Sequence, residues 1–93
     1  MRVISNKALT DFAALRPASG EPLQAWRRIV EASTFRSSAE LRRSFNSVDR
    51  VDDFYVFDIG GNKYRLITAI HFNRQVIFIR HVFTHAQYDK WRR

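Results

Sequence analysis

The sequence predicts an α+β fold, an antiparallel β-sheet built from the last third of the chain with N-terminal helices packed on one of its faces. Three observations carry this. Three runs rich in β-branched and aromatic residues, at 54–59, 63–72 and 75–83, are separated by Gly60-Gly61 and Asn73-Arg74, as strands joined by tight turns would be. Two segments before them repeat apolar residues at helical spacing. The chain has 93 residues and no cysteine, which predicts a single domain over 1–93 held by one modest core and not by disulfides.

Taken in order, Arg2-Val3-Ile4-Ser5 reads as a short edge strand of the same sheet. Ser5 or Asn6 caps a helix over 7–16, with Ala8, Leu9, Phe12, Ala13 and Leu15 mostly on one side. Pro17 ends it, and Ala18-Ser19-Gly20 makes a turn. Glu21-Pro22 opens a second helix, the proline standing in the first turn where its missing N–H matters least. Leu23, Trp26, Ile29, Val30 and Phe35 form its apolar stripe, and Arg27 and Arg28 fall off it. The two helices make an antiparallel hairpin on the sheet, with Phe12 and Trp26 in the core. Ser37 with Glu40 three residues later fits a capping box and starts a short third helix over 39–45. Positions 46–53 are polar, with three aspartates, and read as a turn. After Phe83 a short helical turn puts His85 and Tyr88, three apart, side by side.

Two-residue loops set the register. Phe72 then faces Gln75 and Ile67 faces Arg80, while Ile59 faces Asn62, Val56 faces Arg65 and Asp58 faces Lys63. Opposed residues share a face, and side chains alternate along each strand. One face carries Tyr55, Phe57, Ile59, Tyr64, Leu66, Ile70, Phe72, Ile77, Ile79 and Phe83, which is a core face. His81 also falls on that side and is left out of the site. The other face carries Phe54, Val56, Ile67, Ala69, Val76, Phe78 and Val82, with Asp58, Lys63, Arg65, His71 and Arg80 set among them. Arg65 and Arg80 lie diagonally across neighbouring strands, within reach of one ligand. Two arginines in a core would be costly, whereas the planar guanidinium fork suits phosphate. Either arginine alone is as well explained by snorkelling to water or pairing with a carboxylate; the pair on one face is the stronger sign.

Net charge is +7, which favours a polyanionic partner, usually nucleic acid. An acidic protein or a membrane surface would also suit it. No apolar run approaches the roughly 20 residues of a membrane span, and the N-terminus lacks the apolar core of a signal peptide. A soluble, cytoplasmic protein with no membrane role is expected. The spacing of His71, His81 and His85 fits no standard zinc motif, and no other metal or cofactor is expected. Gly60-Gly61 sits in a hairpin turn and not between a strand and a helix, which argues against a phosphate-binding loop. No Ser-His-Asp arrangement is apparent.

The remaining chemistry is metal-free RNA cleavage. It needs a base for the 2′-OH proton, cations for the phosphorane and an acid for the leaving 5′-oxygen. His85 or Tyr88 suits proton transfer, and Arg65, Arg80 and Lys63 suit charge stabilisation. The plainer alternatives are a hydrogen-bonded loop histidine and a tyrosine that packs against the sheet end.

The segments MRVISNKAL, VFDIGGNKYRLI and FIRHVFTHAQYDK together resemble the HigB family, toxins of type II toxin–antitoxin systems with a RelE-like fold, along essentially the whole chain. The resemblance implies helices on one sheet face and an active site on the other. It implies an endoribonuclease (an mRNA interferase) that acts on translating ribosomes and blocks translation. It also implies a HigA-like helix-turn-helix antitoxin, and operator DNA bound only through the antitoxin complex. Family features carry over onto Asn62, Lys63, Arg65, Arg80, Thr84, His85, Tyr88 and Asp89. Of these, Arg65, Arg80, His85 and Tyr88 form the expected catalytic set, with Asn62, Lys63, Thr84 and the neighbouring Lys90 as substrate contacts. The alternative is a non-catalytic basic module that inhibits by occupying RNA or the ribosome; it would survive loss of His85 and Tyr88 but not of the arginines. An inactive relative that only binds a partner would not arrest growth at all.

Overall fold

The computed structural model describes residues 1–92; Arg93, at the end of the basic C-terminal segment, lies outside them. The elements run β1 (Arg2–Ile4), α1 (Asn6–Leu15), a 3₁₀ turn (Pro17–Ser19), α2 (Gly20–Glu31), α3 (Ser38–Ser44), β2 (Asp49–Val51), β3 (Phe54–Ile59), β4 (Tyr64–His71), β5 (Val76–Thr84) and α4 (His85–Arg92). The sheet order is β1-β5-β4-β3-β2. β1 runs parallel to β5, and the other pairs are antiparallel.

One sheet face is buried under the first three helices. Leu9, Leu23, Trp26, Val30 and Leu41 form a single cluster with Tyr55, Phe57, Ile59, Leu66 and Ile77. Trp26 meets Phe57 edge-on at 5.2 Å, a preferred aromatic arrangement. Trp26 and half-buried Phe12 are core residues, as their spacing implied; Phe35 is also in the core but lies beyond the end of α2 and not on its stripe. The Ser37 hydroxyl accepts the Glu40 N–H at 3.3 Å and caps α3. Two expected stripe residues are exposed, Leu15 at 78% and Ile29 at 48%. Leu15 is the last residue of α1; Ile29 follows Arg28 on the outer side of α2, where Val30 takes the inward position.

Positions 46–53 are not merely a turn. Asp49–Val51 is an edge strand joined to β3 by a two-residue loop, with Val51 opposite Phe54 and Asp49 opposite Val56. Its hairpin uses Asp52 at φ 55, a conformation that aspartate tolerates better than most residues. Buried Val48 holds the start of the strand against the core.

The β3–β4 loop has four residues, since Ile59 pairs with Tyr64 and Asp58 with Arg65. The slip from the expected two-residue loop is even, so every side chain on β3 keeps its face. Gly60, Gly61 and Asn62 all have positive φ, at 64, 63 and 76. The β4–β5 loop also has four residues, but its register, Ile70 with Ile77 and Thr68 with Ile79, is the expected one. Gln75, not Asn73, takes the positive φ there, and its side-chain amide donates to the Phe35 and Phe72 carbonyls.

The register changes halfway along β5. Thr68 pairs with Ile79 but Ile67 pairs with His81, so Arg80 is the extra residue of a β-bulge. Beyond it the alternation inverts. Val82 joins the helix-covered core, and Phe83 packs on the opposite face with Val56, Ile67 and Tyr88. The expected faces of His81, Val82 and Phe83 are therefore all reversed.

A Cβ on Gly60 would meet the Tyr64 ring at 3.3 Å, whereas one on Gly61 would meet nothing within 4 Å. Gly61→Ala should lower stability by about 1 kcal/mol for the left-handed backbone alone, and Gly60→Ala by more. Urea unfolding of the two variants tests this; equal losses would contradict it.

Candidate active site on the second sheet face

The face turned away from the first three helices is half covered by α4. Tyr88 is buried there with Val56 and Ile67, and Trp91, Phe54, Phe83 and Val51 pack around them. α4 starts at the end of β5 through a reciprocal cap. The Gln87 N–H donates to the Thr84 hydroxyl at 3.2 Å, and the Thr84 N–H donates to Gln87 Oε1 at 2.9 Å. This is a capping box with glutamine as the returning side chain. The helix start is also sewn to the β3–β4 loop, because the His85 N–H donates to the Lys63 carbonyl at 3.1 Å.

That bond brings the two motif segments together. The 60–63 loop carries Asn62 and Lys63, both exposed, directly beside Thr84 and exposed His85. His85 Nδ1 lies 3.1 Å from Asp89 Oδ2 one helical turn on. A proton on Nδ1 donated to that carboxylate leaves Nε2 as the nitrogen that can take or give a proton.

Arg65 sits beneath this corner, its side chain only 12% exposed. Nε donates to Asp58 Oδ1 at 3.1 Å. Nη1 donates to the Asn62 and Tyr64 carbonyls at 3.0 and 3.2 Å. The guanidinium carbon lies 5.7 Å from the centre of the Tyr88 ring, within cation–π range. Arg65 thus holds the loop and α4 in one geometry while carrying charge. A cleft of about 340 Å³ opens beside it, lined by Asp58, Arg65, Tyr88 and Arg92 from one side and Asp49 and Ser47 from the other.

Arg80 is not part of this corner. Arg65 pairs with Phe83, and the residue two further along that face is His81. Arg80 precedes Thr84 by four strand positions, about 13 Å at 3.3 Å per residue. Its guanidinium lies over the Phe78 ring, 5.2 Å from the centre. The bulge alters the expected diagonal: Ile67 lies opposite His81 and not Arg80. Lys90 is exposed on α4. Among the described residues no group of three or more His, Cys, Asp or Glu side chains gathers as a metal site would.

The profile of HigB toxins, described as the RelE-like toxic component of a toxin–antitoxin system, matches residues 19–91. Similar proteins include the mRNA interferase HigB of Escherichia coli O6:H1 (strain CFT073), 31% identical over 93 residues, covering 97% of this chain and 90% of the relative. The mRNA interferase toxin HigB of Escherichia coli K12 is 35% identical over 92 residues, covering 96% and 88%, and the mRNA interferase HigB of Shigella flexneri matches equally. This chain belongs to the HigB toxin family. As a HigB toxin it has an antitoxin partner, and its α+β sheet with helices agrees with the RelE-like description. None of its described helices is long and apolar enough to cross a membrane.

Asp89, Asp58 and His81 were named in the sequence, but three of their roles in the site of this HigB toxin were not read there: Asp89 is the partner of His85, Asp58 is the partner of Arg65, and His81 lies on the site's own face. The first had a readable signal, His and Asp four apart in a helix. The second depended on loop length and the third on the bulge. The Asp58–Arg65 pair is partly buried, with Asp58 28% exposed, whereas Asp53 by Arg50 is fully exposed at 3.9 Å. Asp58→Ala should therefore cost about 1–3 kcal/mol, because it leaves a shielded charge without its acceptor. Asp53→Ala should change nothing measurable. Denaturant midpoints of the two variants compare them directly.

Proposed function

We propose that this HigB toxin is an endoribonuclease that cuts mRNA on translating ribosomes by side-chain chemistry without a metal. The observation that carries this is the junction of the 60–63 loop with the start of α4 through the His85-to-Lys63 hydrogen bond. It gathers a cationic loop and a carboxylate-held histidine around a shielded arginine, and that arginine lines a cleft. The names of the relatives, mRNA interferases, agree with it.

In this reading Lys63 and Arg65 stabilise the phosphorane. Arg65 suits the task because Nε and Nη1 are already fixed by Asp58 and two carbonyls, so little ordering is left to do when a phosphate arrives. His85, held by Asp89, takes the 2′-OH proton through Nε2, and Tyr88, which lines the cleft beside Arg65, is the second proton-transfer group. Asn62 borders the substrate path, and Thr84 acts through the cap that starts α4. Lys90 and Arg80 meet flanking phosphates. The antitoxin is a HigA-like helix-turn-helix protein that carries the operator DNA contact, and the toxin works in the cytoplasm.

Mapping mRNA 5′ ends minutes after induction tests the proposal. New ends inside translated codons are expected, and His85→Gln should reduce them by about 10²–10⁴-fold, the usual contribution of general acid–base catalysis, with the fold intact. Growth arrest without new ends would instead favour inhibition by occupancy.

A further inference from the structure

The half of the second sheet face that α4 leaves open has its own organisation. Planar groups follow one another along β5. The Arg80 guanidinium lies over Phe78 at 5.2 Å. The His81 ring is stacked on Phe83, with centres 5.0 Å apart and planes 11° from parallel. Trp91 of α4 tilts against both His81 and Phe83, at 5.8 and 5.9 Å. Arg80 and His81 are exposed, and Phe78, Phe83 and Trp91 are half-buried. Among the described residues no carboxylate lies within 4 Å of Arg80, unlike Arg65 on the same face, which Asp58 holds. Phe83 and Trp91 also pack on the apolar cluster under α4, whereas the exposed His81 ring stands outside that burial.

We propose that this row is a base-stacking track for single-stranded RNA, with His81 as its central, positioning residue. The proposal rests on the nuclease reading and deepens it: the track runs into Thr84 and His85 at the end of the same strand, so it would hold nucleotides that flank the scissile phosphate. Phe83 stacks on the imidazole and Trp91 tilts against it, and because His81 is still exposed its ring can take a nucleobase. The unpaired Arg80 supplies charge for the adjoining phosphate. Aromatic stacking accepts any base and requires an unpaired one, so the ligand is a single strand. The bulge makes the track. If β5 ran through Arg80 in unbroken alternation, His81 would point into the helix-covered core and Phe83 with it.

The test is binding of a twelve-nucleotide, fully 2′-O-methylated RNA, which has no 2′-OH and cannot be cut by this chemistry. Affinity comes from fluorescence anisotropy at several salt concentrations, and stacking from quenching of Trp91, with Trp91→Phe as the control for buried Trp26. The wild-type toxin should bind with Trp91 quenched. His81→Ala should weaken binding about tenfold without changing the salt slope, and His81→Phe should restore it. Arg80→Ala should instead reduce the slope by about 0.7. Unchanged affinity in His81→Ala, no rescue by phenylalanine, or equal affinity for a duplex of the same sequence would each overturn the track. So would a His81→Ala variant that binds RNA normally but loosens the antitoxin complex, which would give this face to the antitoxin. If the track binds as expected while no mRNA is cut in cells, the nuclease reading fails and the track stands.

Discussion

Between Ile79 and His81 the last strand carries a residue with no counterpart on its neighbour, and the arrangement of the second sheet face follows from it. Up to Ile79 the alternation of β5 sends Ile77 and Ile79 into the main core. After Arg80 it sends Val82 there, and turns His81 and Phe83 outward. The inversion gives α4 a surface to settle on, since Phe83 joins Val56 and Ile67 under Tyr88 and Trp91. It also leaves Arg80 and His81 adjacent and exposed on the face where two strictly alternating residues would have been split. Bulges are common beside active sites because they re-aim side chains at small cost to the ladder.

A second constraint fixes the corner where the strand ends. The Lys63 carbonyl accepts from His85, Thr84 and Gln87 cap each other, and Arg65 ties Asp58 to the loop carbonyls. Loop, strand end and helix start are thereby one rigid unit, although three successive residues of the loop have positive φ. A cationic site of this kind would be costly if its charges were merely buried. Here Arg65 is shielded and paired while Lys63 and His85 remain exposed, so holding the geometry and meeting an anion fall to different residues.

Much of this was legible in the sequence. Helical spacing, Pro17, the Ser37–Glu40 cap and the β-branched runs identify the helices and the main strands, and alternation places Tyr55, Phe57, Ile59, Tyr64 and Leu66 correctly under the helices. The longer β3–β4 loop did no harm, because a slip of two keeps parity. The extra residue at Arg80 was different. A bulge without a glycine leaves no local signature. The faces of His81, Val82 and Phe83 were for that reason not readable from alternation. The edge strand at Asp49–Val51 was hidden by its charge, since polar edge strands resemble turns. Asn62, Lys63, Thr84, His85 and Tyr88 were found as motif residues, but the bond that joins them appears only in three dimensions.

The central claim is that RNA meets the sheet face opposite the first three helices, from the 60–63 loop along β5 to α4. Backbone amide shifts of the ¹⁵N-labelled toxin, followed by NMR during titration with uncleavable 2′-O-methyl RNA, test it most directly. The largest changes are expected at Asn62, Lys63, Arg80, His81 and His85, with α1 and α2 unmoved. Changes centred on Arg27, Arg28 and the outer surface of α2, with β5 silent, would contradict it.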